Sequence, residues 1–193
     1  MGLDLTIHPL VYHETYIENS KYLADIFITE KLSDKYLLEI GRTSGLISIF
    51  AAKKGSFVSV LLDDDSVLNV LNSNFKLNDS EISCIAKSID QITIQQKQDF
   101  IIVNPPHFNS NTEEWEKFSW HFTDNYEYFK ILFENIKRIM HSRSIAWLPL
   151  DKSSPFDVYK IIATKNGLNM ELTGERNLFV NDILMFKIML IHN

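Results

Sequence analysis

The stretch Tyr36–Gly55, "YLLEIGRTSGLISIFAAKKG", changes hydrophobic period part-way along. Tyr36 to Ile40 is a short apolar run broken by Gly41, which suits a buried strand. "SGLISIFAAKKG" is helical in pattern. It ends at Gly55 with Lys53 and Lys54 in its last turn, where cations complement the helix dipole. A strand that passes through a glycine turn into a helix is the opening of an alternating α/β chain.

The alternation continues on both sides. Upstream, in "VYHETYIENSKYLADIFITEKL", Tyr22, Leu23, Ile26 and Phe27 recur at helical spacing, with Asn19 or Ser20 as the expected N-cap. Downstream, "SFVSVLL" is a strand, "SVLNVLNSNFKLN" a helix, "EISCIAKSI" a third strand and "DFIIV" a fourth. Between Thr123 and Met140, Tyr126, Phe129, Leu132, Phe133, Ile136 and Met140 form an apolar stripe of helical period. "SIAWLPL" is a fifth strand, and "SPFDVYKIIATKNG" a helix with Pro155 near its first turn and Gly167 after its end. "LNMELTGERNLF" and "DILMFKIMLI" close the chain as two strands, expected to pair antiparallel. The fold class is therefore α/β: a single doubly wound, Rossmann-like domain with a mostly parallel seven-stranded sheet and an antiparallel C-terminal strand. Residues 1–34 form an N-terminal segment and helix, and residues 35–193 the core.

Composition narrows the function classes. Hydrophobic residues make up 45% of the 193, a globular share. The single Cys84 excludes an intramolecular disulfide and lacks the Cys and His neighbours of a zinc site, so no metal is expected. No segment approaches the length of a membrane span or combines a basic start with an apolar run, so no membrane partner and a cytoplasmic location are expected. The net charge of −6 argues against a large basic nucleic-acid face.

Doubly wound sheets bind ligands beyond the carboxyl ends of their strands, where the winding reverses. Chemistry is thus expected after Ile40, Leu62, Ile89 and Val103. After Ile40, "EIGRTSG" places Glu39, Gly41 and Gly45 around a tight turn into a helix whose first amides are free donors. An ordinary βα turn needing glycine for positive φ has an equal claim on this motif, and the spacing is not the dinucleotide G-x-G-x-x-G. After Leu62 come three aspartates, of which Asp63 is the best placed to accept from ribose hydroxyls. Asp64 and Asp65 read better as a solvated helix start. Asp90 has a weaker claim as an acceptor for an adenine amino group, a surface acid being the commoner outcome.

The fourth strand ends in "NPPHF", where Pro105 and Pro106 remove two donors and stop the strand. A planar amine or amide needs an acceptor for its N–H and a flat surface beside it. Asn104 Oδ1 and the Pro105 carbonyl are acceptors, and His107 or Phe108 offers a ring.

Together "YLLEIGRTSGLISIFAAKKG", "VLLDDDSVLNVLNSNFKLND" and "DFIIVNPPHF" resemble the class I S-adenosylmethionine-dependent methyltransferases. The closer likeness is to the branch with an Asn-Pro-Pro-aromatic motif, which includes release-factor glutamine methyltransferases and adenine-N6 and guanine-N2 methyltransferases. The opening "VYHETYIENSKYLAD" is similar to the N-terminal segment of the glutamine-methylating group, with Glu18, Asn19 and Ser20 where that group has Glu, Asp and Ser or Thr. The resemblance covers roughly residues 11–150. It implies S-adenosylmethionine as cofactor, with Glu39, Gly41, Gly45 and Ser20 near it, Asp63 on the ribose and Asp90 on the adenine. Asn104, Pro105, Pro106 and His107 would hold the target nitrogen. The implied substrate is a protein or a nucleic acid, RNA or DNA, and a small activating subunit is a further partner that the resemblance implies.

Three departures stand beside the match. Thr43 replaces the middle glycine of the family's turn, Leu62 falls where its ribose-binding acid is counted, and His107 replaces its usual Tyr, Phe or Trp. They define an alternative: a degenerate methyltransferase fold serving as a binding or scaffold subunit. Trp115 and Trp120, in the segment after "NPPHF", would anchor a lid or stack on a base.

Overall fold

The computed structural model describes residues 2–6, 14–41, 43–62, 67–86, 94–105, 125–177 and 182–192. The elements are α1 (Glu14–Ile28), β1 (Tyr36–Gly41), α2 (Leu46–Lys53), β2 (Phe57–Leu62), α3 (Leu68–Leu77), β3 (Ser83–Ala86), β4 (Gln98–Asn104), α4 (Asn125–Ile139), β5 (Met140–Asp151), α5 (Phe156–Lys165), β6 (Leu168–Arg176) and β7 (Ile183–Leu190). The seven strands form one sheet in the order β3-β2-β1-β4-β5-β7-β6. Neighbours from β3 to β5 run parallel, and β7 runs antiparallel to both β5 and β6. The expected sheet, with its single antiparallel strand last in the chain, is the one observed.

Side-chain alternation sorts the strands onto two apolar layers. Leu38, Ile40, Ile101, Val103 and Leu148 lie with Phe129, Phe133 and Ile136 of α4 and Tyr159 and Ala163 of α5. Phe129 stacks on Tyr159 with ring centroids 3.8 Å apart. On the opposite face Leu37, Phe100, Ile102 and Trp147 pack with Leu23 and Phe27 of α1 and Ile47 and Ala51 of α2. Phe27 meets Phe100 edge-on at 5.4 Å. A third cluster, Val60, Leu62, Leu71 and Phe75, seats α3 beside α2 and takes in Leu3 and Leu5 of the N-terminal segment. Asn74 and Asn78 pin that segment by hydrogen bonds to the backbone of Thr6 and Asp4.

Two boundaries differ from those expected. Helix α1 begins at Glu14, so Ser20 is a buried mid-helix residue and not an N-cap. The polar run "ENS" imitates a cap, but packing of the apolar face holds the helix through it. Strand β5 begins at Met140, which the stripe assigned to the preceding helix; Met140 is buried in the same layer as that helix, so its hydrophobicity fits either element.

The register of β1 against β4 is anchored at its entrance by Asp99. Its carboxylate accepts from the Tyr36 amide at 3.0 Å and Lys35 Nζ at 2.9 Å. Partial burial alone would raise this acid, but the Tyr36 and Lys35 bonds and the nearby His141 hold it below its ordinary value of 3.8. A depressed folded pKa means the contribution is full above the unfolded value and is lost as pH falls through the lower folded one. The wild type is therefore expected to exceed Asp99→Asn in urea midpoint near pH 6, with the gap closing as pH drops below about 3.8.

Candidate active site

In this strand order the winding reverses between β1 and β4, which therefore flank the crevice of the fold. Their last paired residues are Gly41 and Asn104. Gly41 has φ +100°, and a methyl group placed on it would lie 2.0 Å from the Asn104 carbonyl oxygen. Glycine is required here by the approach of β4 itself. Gly45, φ +82°, immediately precedes α2, and a methyl group there would sit 2.7 Å from Leu71 and 2.8 Å from Phe75. That second glycine lets α3 close against the start of α2.

Alternation along β1 and β4 puts Glu39 and Asn104 on the α2 side of the sheet. Asn104 Nδ2 donates to Glu39 Oε1 at 3.0 Å, and Ser48 Oγ donates to Glu39 Oε2. Thr43 Oγ1 and the Ser48 amide also donate to this carboxylate. Glu39 is fully buried and Asn104 is 4% exposed. Burial pushes the Glu39 carboxyl above its ordinary 4.5, partly offset by its hydrogen bonds to Ser48, Thr43 and Asn104. Ser48 is the third residue of α2, so Glu39 reaches across from β1 to cap the first turn of that helix. Gly45 itself offers that turn no side-chain cap, which leaves the Leu46 and Ile47 amides ahead of Ser48 as donors.

Thr43 is folded back into the turn. It is 3% exposed, and its Oγ1 accepts from the Gly45 amide at 2.9 Å while serving Glu39. The threonine thus supplies a local hydrogen bond where the common motif has glycine. This removes one ground for a scaffold that has lost its cofactor site. Asn74, also fully buried, donates to Ser44 O at 3.0 Å and steadies the turn from α3.

The structure brings together Glu39, Gly41, Gly45 and Asn104, with Pro105 buried directly after. Ser20 is buried on α1, and no described contact joins it to this group. Asp63, Asp90, Pro106, His107, Trp115 and Trp120 lie outside the described residues. Ser48 and Asn74 were not singled out in the sequence. Their signal was a polar residue inside an apolar helical stretch, "LISIFAAK" for Ser48 and "LNVLNSNFKL" for Asn74.

Residues 3–125 match the family described as the Methyltransferase small domain. The chain belongs to that family. A Methanocaldococcus jannaschii protein, provisionally named a protein N5-glutamine methyltransferase, is 34% identical over 116 residues. That match takes in 58% of this chain and 55% of the relative, so it spans about half of the relative's length. Among solved structures, a methyltransferase from Pyrococcus furiosus superposes with a TM-score of 0.69 at 19% identity, over 96% of this chain and 88% of that one. A Pyrococcus horikoshii protein, provisionally named an RNA methyltransferase, gives 0.68 at 14% identity over 99% and 92%. At such identities the structures speak for the fold. Among the described residues of this chain no helix is long and apolar enough to cross a membrane.

Proposed function

We propose that this small methyltransferase domain is an S-adenosylmethionine-dependent N-methyltransferase acting on a planar nitrogen, with a protein glutamine amide as the acceptor class. The observation that carries the proposal is the join of Gly41 and Asn104 at the point where the winding reverses. It sets the Asn104–Pro105 strand end beside a glycine turn and the start of α2, whose N-cap residue Gly45 carries no side chain.

The residues present fit such a cofactor. At the carboxyl ends of β1 and β4 Thr43 is turned inward, and the Leu46 and Ile47 amides at the start of α2 suit a carboxylate. When bound, S-adenosylmethionine would supply an electrophilic methyl group; its transfer forms the N–C bond, breaks the C–S bond to leave a neutral thioether, and releases one N–H proton. The work of this chain is positioning. Asn104 Oδ1 and the Pro105 carbonyl are the acceptors that would hold the target N–H groups and aim the nitrogen at the methyl donor. The Asn104 carbonyl is fixed by the close approach of Gly41, so this ledge is rigid. The name of the Methanocaldococcus jannaschii relative supports glutamine, and the net charge of −6 weighs against a broad phosphate-binding face.

Calorimetric titration with S-adenosylhomocysteine tests the cofactor. Binding with a Kd of about 1–100 μM is expected, on the order of 5–8 kcal/mol. No heat at millimolar ligand with folded protein would sink the proposal. Tritiated methyl transfer into ribonuclease-treated or protease-treated extract then tests the acceptor, with label expected in the former alone.

A further inference from the structure

With Ser48 Oγ, the Ser48 amide and Thr43 Oγ1 all donating to it, Glu39 serves as an ionised, acceptor-only carboxylate, and the atom that Asn104 presents to it is the amide nitrogen. The two ends of a carboxamide point in opposite senses. Fixing Nδ2 on Glu39 therefore fixes Oδ1 away from Glu39, as the acceptor left for another donor. An Asn that could flip would present an NH2 group half the time, and an N–H donor facing a target N–H is repulsive. Ser48 and Thr43 hold the carboxylate itself from the other side. The chain from α2 through Glu39 to Asn104 crosses from β1 to β4 between residues 65 apart in sequence.

We infer that Glu39 is a positioning residue for the acceptor half of the site, selecting the Asn104 rotamer that turns Oδ1 toward the target nitrogen, and is not a cofactor ligand. The inference rests on the N-methyltransferase function proposed above. It assigns the acid of the glycine turn to substrate geometry, through a hydrogen bond that no motif spacing reveals. The full burial of Glu39 agrees, since a cofactor lying in the crevice would find every described partner of this carboxylate already internal.

The test reverses the polarity of one hydrogen bond. In Glu39→Gln, if Oε1 stays on Ser48, Nε2 faces Asn104, which must flip and lose its outward acceptor. In the double variant Glu39→Gln with Asn104→Asp, Nε2 of Gln donates to one Asp oxygen and the other remains an outward acceptor. The single variant is expected to lower kcat for methyl transfer into the extract fraction used by the wild type about 100-fold, with S-adenosylhomocysteine affinity kept within about threefold. The double variant is expected to recover roughly tenfold or more of that loss. Loss of S-adenosylhomocysteine binding in folded Glu39→Gln would overturn the inference by making Glu39 a ligand. Equal kcat in wild type and single variant, or no recovery in the double, would overturn it too. Should Glu39→Gln fail to fold, the nitrogen-15 side-chain signal of Asn104 in the wild type decides. A slowly exchanging, downfield Nδ2–H supports the bond to Glu39, and a rapidly exchanging pair removes it. If the wild type binds no cofactor, the parent proposal fails and takes this one with it, while the Asn104 signal still reports the contact.

Discussion

Gly41→Ala is expected to destabilise the protein by about 4 kcal/mol or more, a large part of the ~5–15 kcal/mol that holds a domain folded. Two costs add. A side chain at φ +100° is strained by about 1–2 kcal/mol, and a methyl 2.0 Å from the Asn104 carbonyl oxygen must push backbone against backbone. Neither neighbour can yield cheaply, because Gly41 and Asn104 are paired residues of central strands. Urea denaturation followed by circular dichroism checks this, and a midpoint within error of the wild type would refute it. Gly45→Ala should cost less. Its methyl meets the flexible ends of Leu71 and Phe75, which can shift.

Asn104→Ala is expected to have the largest effect on activity. It removes the Oδ1 acceptor, so methyl transfer should fall about 100-fold or more through lost orientation of the target nitrogen. S-adenosylhomocysteine titration should be nearly unchanged. The same change strips Glu39 of one of its donors inside a fully buried site, which adds about 1–3 kcal/mol of instability. Activity and stability therefore need to be measured together. A variant that keeps wild-type kcat would remove Asn104 from the proposed chemistry.

Local chemistry made the frame legible. The period change at Gly41, the Lys53–Lys54–Gly55 helix end and the proline stop after Asn104 each carry their own physical reason, and each falls where the sequence predicts it. What escaped are choices made by distant partners. Ser20 reads as a cap because its neighbours are polar, while the apolar face that extends α1 past it acts through packing on β4. Thr43 reads as a lost glycine because the motif is counted along one chain. Its donor, the Gly45 amide, and its acceptor, the Glu39 carboxylate, are met only once the turn closes. The Glu39–Asn104 bond spans two strands and leaves no trace in spacing. The glycine turn itself was ambiguous in sequence, and the geometry gives both glycines a packing reason: β4 at Gly41, α3 at Gly45.

Strand β7 follows β6 in the chain but lies between β5 and β6. During synthesis, at about 5–20 residues per second, β6 leaves the ribosome with no strand to join. The edge of β5 stays open until β7 arrives. The β1–β4 pair, by contrast, involves residues no later than Asn104. A nascent chain can thus complete its crevice well before it completes its sheet. The interval exposes an unpaired β5 flank rich in Trp147, Leu148 and Leu150. Chaperone capture of arrested nascent chains would fall on that flank, while the crevice is already formed.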